Sequence, residues 1–132
     1  MRIIFKLFLI FASFGAHCEI SRQWIPVQDE KQIITAYLDI NSIVYFQKEI
    51  IQAQYLVNYG LQVASHPRLG RSSIETIEID CSKKTKYRTL NTQWFEQNFA
   101  KGKLTEDKKI DLSWHLPPFD TYSKVIIKSL CQ

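Results

Sequence analysis

From Ile50 to Tyr59 the chain alternates: Ile51, Ala53, Tyr55, Val57 and Tyr59 share one side, with Gln52, Gln54 and Asn58 mostly on the other. A period of two does not make an amphipathic helix; it specifies a half-buried antiparallel strand. The pattern returns over Ser73–Cys81, where Ile77, Ile79 and Cys81 face one way and Glu78 and Asp80 the other. After a turn at Ser82-Lys83, Lys84–Leu90 reads as a strand with Thr85, Tyr87 and Thr89 opposite Lys84, Lys86 and Arg88. Shorter strands are expected at Trp24–Val27, with Pro26 suiting an edge, and at Ile33–Leu38 and Ile43–Phe46, separated by turn residues Asp39–Ser42. Lys109–His115 reads as one more, stopped by Pro117-Pro118, and Ala64–Arg71 reads as a loop. Over Thr92–Ala100, Trp94, Phe95 and Phe99 fit a helical stripe or a twisted strand equally well.

Asp120–Cys131 has helical spacing instead. Asp120 can cap it, Tyr122, Val125, Ile126 and Leu130 make one apolar face, and Lys124 and Lys128 in the later turns suit the helix dipole. Strands followed by one such helix predict an α+β fold: an antiparallel sheet of about six strands with the C-terminal helix packed on one face.

The N-terminus has a different character. Met1-Arg2 precedes an apolar run, Ile3–Phe14, interrupted by Lys6 and the small Ala12 and Ser13; Gly15, Ala16 and Cys18 follow. A basic start, an apolar middle and a small-residue exit is the layout of a secretory signal. At 1.5 Å per residue the run falls short of a bilayer core of roughly 30 Å. Residues 1–18 are therefore assigned to a signal peptide and 19–132 to a single domain. Cleavage after Gly15 or after Cys18 fits. Lipidation of Cys18 is the alternative, but the bulky His17 before it suits that pattern poorly.

Export places the mature chain in an oxidising compartment. Cleavage after Cys18 leaves Cys81 and Cys131, an even number, and a bond between them would close a loop of about fifty residues. On the chain-entropy model such a link is worth about 4 kcal/mol. Two unpaired buried cysteines are the competing assignment. A zinc site is a weaker one, since no C-x-x-C or H-x-x-x-H spacing occurs. The net charge of +4 loses Arg2 and Lys6 with the signal. The small remaining excess does not argue for nucleic acid.

Several anchors then fall in order: Trp24, Tyr37-Leu38-Asp39, Ser42-Ile43, Glu78-Ile79-Asp80-Cys81 leading into Lys83-Lys84, Trp114, Pro117-Pro118 and a helix ending at Cys131. This arrangement resembles the surface-adhesin protein E family of Gram-negative bacteria. The resemblance implies an antiparallel sheet with a helix tied down by the cysteine pair. It also implies an exported protein, in the periplasm or at the outer-membrane surface, that binds host plasma and matrix proteins such as vitronectin, laminin or plasminogen. A periplasmic accessory or inhibitor module without a host ligand is the alternative.

Lys83, Lys84, Lys86 and Arg88 form the candidate contact surface, suited to acidic proteins or sulfated glycans. Against this, Glu78 and Asp80 would face Lys84 and Lys86 across a hairpin and neutralise them. Lys101, Lys103, Lys108 and Lys109, interrupted by Glu106 and Asp107, read as a solvated hairpin tip around Gly102. Neither His66 nor His115 has a nucleophile at motif spacing, and there is no G-x-S-x-G and no Gly-rich phosphate loop. No enzyme, metal or cofactor is expected. Trp24, Trp94 and Trp114 are assigned to the core. Exposed strand edges leave room for a homodimer by strand addition.

Overall fold

The computed structural model describes residues 21–27, 34–59, 70–108, 112–117 and 122–132. The signal segment, residues 64–69 of the expected loop with His66, and the proposed cap Asp120 lie outside the described residues. Six strands form one antiparallel meander in sequence order: β1 (Trp24–Pro26), β2 (Ile34–Gln47), β3 (Ile50–Tyr59), β4 (Ser72–Asp80), β5 (Lys86–Phe95) and β6 (Leu104–Lys108). One helix, α1 (Tyr122–Leu130), follows them, and a disulfide joins Cys81 to Cys131 with Cα atoms 5.3 Å apart. The expected fold class is thus what the chain adopts.

The core lies between α1 and one sheet face. Ala36, Leu38, Ala53, Tyr55, Val57, Ile77 and Ile79 present alternate side chains to it, and Ile126 and Ile127 close it from the helix. Burying a side chain of this size contributes roughly 1.5–3 kcal/mol. Of the expected apolar face, Ile126 is in the core and Tyr122 and Leu130 pack against it, whereas Val125 turns outward and Ile127 takes its place. Ser123, Ile126 and Ile127 are buried while Val125 is 42% exposed.

Residues Asp39–Ser42 have the turn chemistry expected of them, but the strand does not reverse there. Asp39 Oδ1 accepts from the backbone N–H of Asn41 at 3.1 Å, and Ser42 Oγ donates to the Asp39 carbonyl at 2.7 Å. Ser42 Oγ also accepts from the Gln54 N–H at 2.7 Å. The extra residues become a bulge between Asp39 and Val44, so the two expected strands are one long β2. The pairing with the unbroken β3 outweighs the local turn preference.

The second sheet face is partly closed as well. A short 3₁₀ turn, Asn98–Ala100, folds over it between β5 and β6. The Asn58 carboxamide oxygen accepts from the Phe99 N–H at 2.8 Å, Ser72 Oγ accepts from the Ala100 N–H at 3.0 Å, and the Phe99 ring meets Tyr37 at 5.1 Å. Phe99 and Ala100 both have left-handed φ, a conformation these contacts must sustain. This explains why Leu56 and Asn58 are buried along with the expected face of β3. Gly70 also has a required role, since φ is +102° and an added Cβ would stand 2.2 Å from the Phe95 carbonyl oxygen.

One open assignment is settled and three further expectations are corrected. Thr92–Phe95 continues β5, and the basic segment after Gly102 is the edge strand β6 rather than only a hairpin tip. Of the strand expected over Lys109–His115, residues 109–111 lie outside the described residues; the remainder makes a single antiparallel bridge between His115 and Tyr87. The tryptophans are not core residues. Trp24 and Trp94 are half-buried, Trp94 stacks on Tyr59 at 5.2 Å, and Trp114 is 37% exposed. Trp24, on the edge strand β1, and Trp114, beyond β5, stand at the sheet's margins, whereas Trp94 lies near the end of β5, between β4 and β6.

Candidate functional site

The disulfide fixes the C-terminal end of α1 to the turn between β4 and β5, and this builds the basic pole of the molecule. The turn spans Cys81–Thr85 and is held internally. The Ser82 N–H donates to Asp80 Oδ1 at 2.9 Å, and Thr85 Oγ1 donates to the Ser82 carbonyl at 3.5 Å. The Ser82 backbone N–H, then the Ser82 hydroxyl and nearby Lys86, hold the Asp80 carboxyl below its ordinary range. Lys83 and Lys84 project from the turn and Lys86 opens β5; all three are exposed.

Arg88 stands apart from them. The cross-strand register places Glu78 opposite Arg88 and Asp80 opposite Lys86. Lys86 thus faces Asp80 as expected, whereas Lys84 stays in the turn and Arg88 takes its place opposite Glu78. Arg88 Nε donates to Glu78 Oε2 at 2.7 Å, and its guanidinium lies over the Trp114 ring at 4.6 Å. The neutralising pair weighed against the basic cluster therefore exists, but it engages Arg88 and leaves Lys83 and Lys84 in the turn.

The helix contributes cations that were read from sequence only as dipole partners. Lys124 and Lys128, one turn apart, line a groove of about 420 Å³ together with Thr85, Pro117, Ile127 and Cys131. Their link to the β4–β5 turn depends on the disulfide, and their i, i+4 spacing beside a terminal cysteine is the signal that could have found it. The β2–β3 tip lies at the same end, since the Cys81 N–H donates to the Glu49 carbonyl at 2.8 Å. It exposes Val44, Tyr45 and Phe46, at 44%, 69% and 58%. The pole thus combines lysines with accessible apolar side chains, a composition suited to macromolecular contact.

His115 is exposed, and its described contacts are the backbone bridge to Tyr87 and the Tyr87 ring. Among the described residues no group of three or more His, Cys, Asp or Glu side chains converges to hold a metal. The main titratable cluster is structural. Under the N-terminal half of α1, Tyr55 Oη donates to Glu75 Oε2 at 2.5 Å, Tyr59 lies 3.3 Å from Ser73 Oγ, and the Tyr55 and Tyr122 rings meet at 5.7 Å. Burial pushes the Glu75 carboxyl above its ordinary range, against the opposing effect of the Tyr55 hydrogen bond. Burial also raises Tyr55, Tyr59 and Tyr122, reinforced in each by Glu75.

A carboxyl whose folded-state pKa is raised favours the folded state most below its unfolded value, and that stabilisation fades as pH rises through the folded value. Glu75→Gln should therefore melt higher than the parent protein at about pH 8 and close to it at about pH 4. Paired thermal melts at the two pH values check this; a gap that widens on acidification would contradict it.

The described residues form one antiparallel sheet with a disulfide-anchored helix and a lysine-rich pole. The sequence profile of the surface-adhesin protein E family matches residues 24–132, and the chain belongs to that family. No curated protein and no solved structure matches it. The family suggests a protein-binding, non-enzymatic role at an exported or cell-surface location. Among the described residues no helix is long and apolar enough to cross a membrane.

Proposed function

We propose that the chain is an exported binding protein whose domain, residues 19–132, contacts host plasma or matrix proteins through its basic pole after loss of a signal peptide spanning residues 1–18. Vitronectin, laminin and plasminogen are the partners to test first, with sulfated glycans as a polyanionic alternative. The observation that carries this reading is the disulfide-fixed turn. It presents Lys83 and Lys84 next to Thr85, which lines the groove of Lys124 and Lys128, with Lys86 following at the start of β5, within a chain of adhesin family. Arg88 supports the surface from its ion pair with Glu78 rather than by direct contact.

Clustered lysines steer acidic partners by a field that salt screens. The purified domain should bind at least one of these immobilised proteins, or heparin, saturably at physiological salt. Reversing Lys83, Lys84 and Lys86 to Glu should weaken that binding about tenfold or more and flatten its salt dependence, with the fold intact. Protease shaving of intact cells should remove the domain. No saturable binding to any of them, or an unchanged affinity in the triple variant, would overturn the reading. Full protection from shaving would favour the periplasmic accessory or inhibitor module.

A further inference from the structure

The β2–β3 hairpin carries apolar side chains that the sheet does not use for its own packing. Ile43 still packs against the core, but Val44, Tyr45 and Phe46 beyond it are exposed. Consecutive apolar residues cannot serve one face of a strand, because successive side chains point to opposite faces. Val44 pairs with Gln52 and Tyr45 with the buried Ile51, so apolar groups emerge on both faces of the sheet at once. Phe46 is the extra residue of a bulge between Tyr45 and Gln47.

The surroundings are cationic. Lys48 and Glu49 form the exposed turn of the hairpin. A cavity of about 390 Å³ joins it to the β4–β5 turn, lined by Gln47, Lys48, Glu49, Ile50, Asp80 and Ser82. The exposed Lys83 and Lys84 follow directly in that turn. Glu49 and Asp80 oppose these lysines, but Asp80 accepts from the Ser82 N–H and faces Lys86 across the strands. This end of the molecule thus sets an excess of positive charge beside exposed aromatic rings.

We propose that this end docks on a lipid bilayer bearing anionic headgroups, with Val44, Tyr45 and Phe46 seated at headgroup depth and the lysines against the phosphates. Placement on both faces favours a bilayer over a protein partner. A folded partner covers one side of a sheet, whereas lipid closes around both. The outer edge of β2 is also poorly suited to an added peptide strand. β1 pairs only with residues 37–39, and beyond them two bulges, between Asp39 and Val44 and between Tyr45 and Gln47, break the regular ladder. The residue types match the membrane interface, where aromatic rings sit at headgroup level and lysines are drawn to anionic lipid. Lys48 can lay its apolar stem along that surface and keep its ammonium in water. The site borrows lysines from the proposed adhesive pole, but its determinant is the aromatic pair, so it does not rest on that reading.

The purified protein is sedimented with vesicles of phosphatidylcholine alone, and with vesicles in which about a third of the lipid is phosphatidylglycerol. Saturable binding to the anionic vesicles is expected, weakening as salt rises, with about tenfold weaker binding to the neutral ones. Tyr45→Ser combined with Phe46→Ser should weaken it about tenfold or more, with unchanged circular dichroism and unchanged binding to heparin or immobilised proteins. In bicelles of the same composition, a nitroxide-labelled lipid should broaden the amide signals of residues 44–48 in the parent protein. It should spare those of β6, which pairs at the opposite end of β5. No binding to anionic vesicles overturns the proposal. So does binding that the double substitution leaves intact, or broadening that misses residues 44–48. A double variant that loses protein binding, from a parent that never bound vesicles, assigns the tip to a protein partner and also overturns it. Vesicle binding by a parent that binds none of the tested macromolecules upholds this site and removes only the adhesive reading.

Discussion

Replacing Cys81 and Cys131 together by serine lowers the unfolding free energy by about 2–4 kcal/mol, read from denaturant melts. The bond spans a sequence separation of 50 residues, so much of its effect comes from the chain entropy it removes from the unfolded state. In a domain of this size the melting temperature should fall by about 10 °C or more. The loss should also be uneven in space. The helix is a nine-residue segment, too short to be stable alone, held by its packing at Ile126 and Ile127 and by the sulfur link at its end. Amides of Tyr122–Leu130 should therefore lose hydrogen-exchange protection before those of β3 and β4. An unchanged melt, or uniform loss across sheet and helix, would contradict this role.

Truncating Ile126 to alanine removes a side chain with no solvent exposure from the interface of helix and sheet. The expected cost is about 2–5 kcal/mol, the range for a large-to-small change in a packed core. Val125→Ala on the same helix should cost within about 0.5 kcal/mol, because Val125 faces solvent. The contrast tests the one departure from the face expected from spacing, the outward-facing Val125. Equal costs at the two positions would favour the expected face. The effects of Ile126→Ala and of removing the disulfide should be less than additive, since both release the same element.

The parts of the fold that were legible are those where burial imposes a single period. Ile50–Tyr59 was readable to the residue because β3 has paired neighbours on both sides and a core beneath it. The cysteine pairing was expected from a signal-like N-terminus and an even count of remaining cysteines, and the disulfide is present. Asp39–Ser42 misled because its turn chemistry is genuine, while the partner strand that converts it to a bulge lies more than ten residues away. Leu104–Lys108 was hidden because an edge strand paired on one side carries little hydrophobic alternation. The lysines at the pole were visible as residues, but Arg88 could not be separated from them without the register that sets it opposite Glu78. Lys124 and Lys128 joined the site through the disulfide, and their spacing beside Cys131 was a signal that the sequence reading left as a matter of the helix dipole alone.

The central claim is that this chain is exported and that its two remaining cysteines tether the C-terminal helix to the sheet. Intact-mass spectrometry of the protein isolated from its producing cells, unreduced and treated with a thiol-alkylating reagent, tests both halves at once. The account predicts a new N-terminus at Glu19 and no alkylation, with a Cys81–Cys131 peptide recovered after digestion. A product that keeps Met1, or that takes up alkyl groups on Cys81 and Cys131, would contradict it.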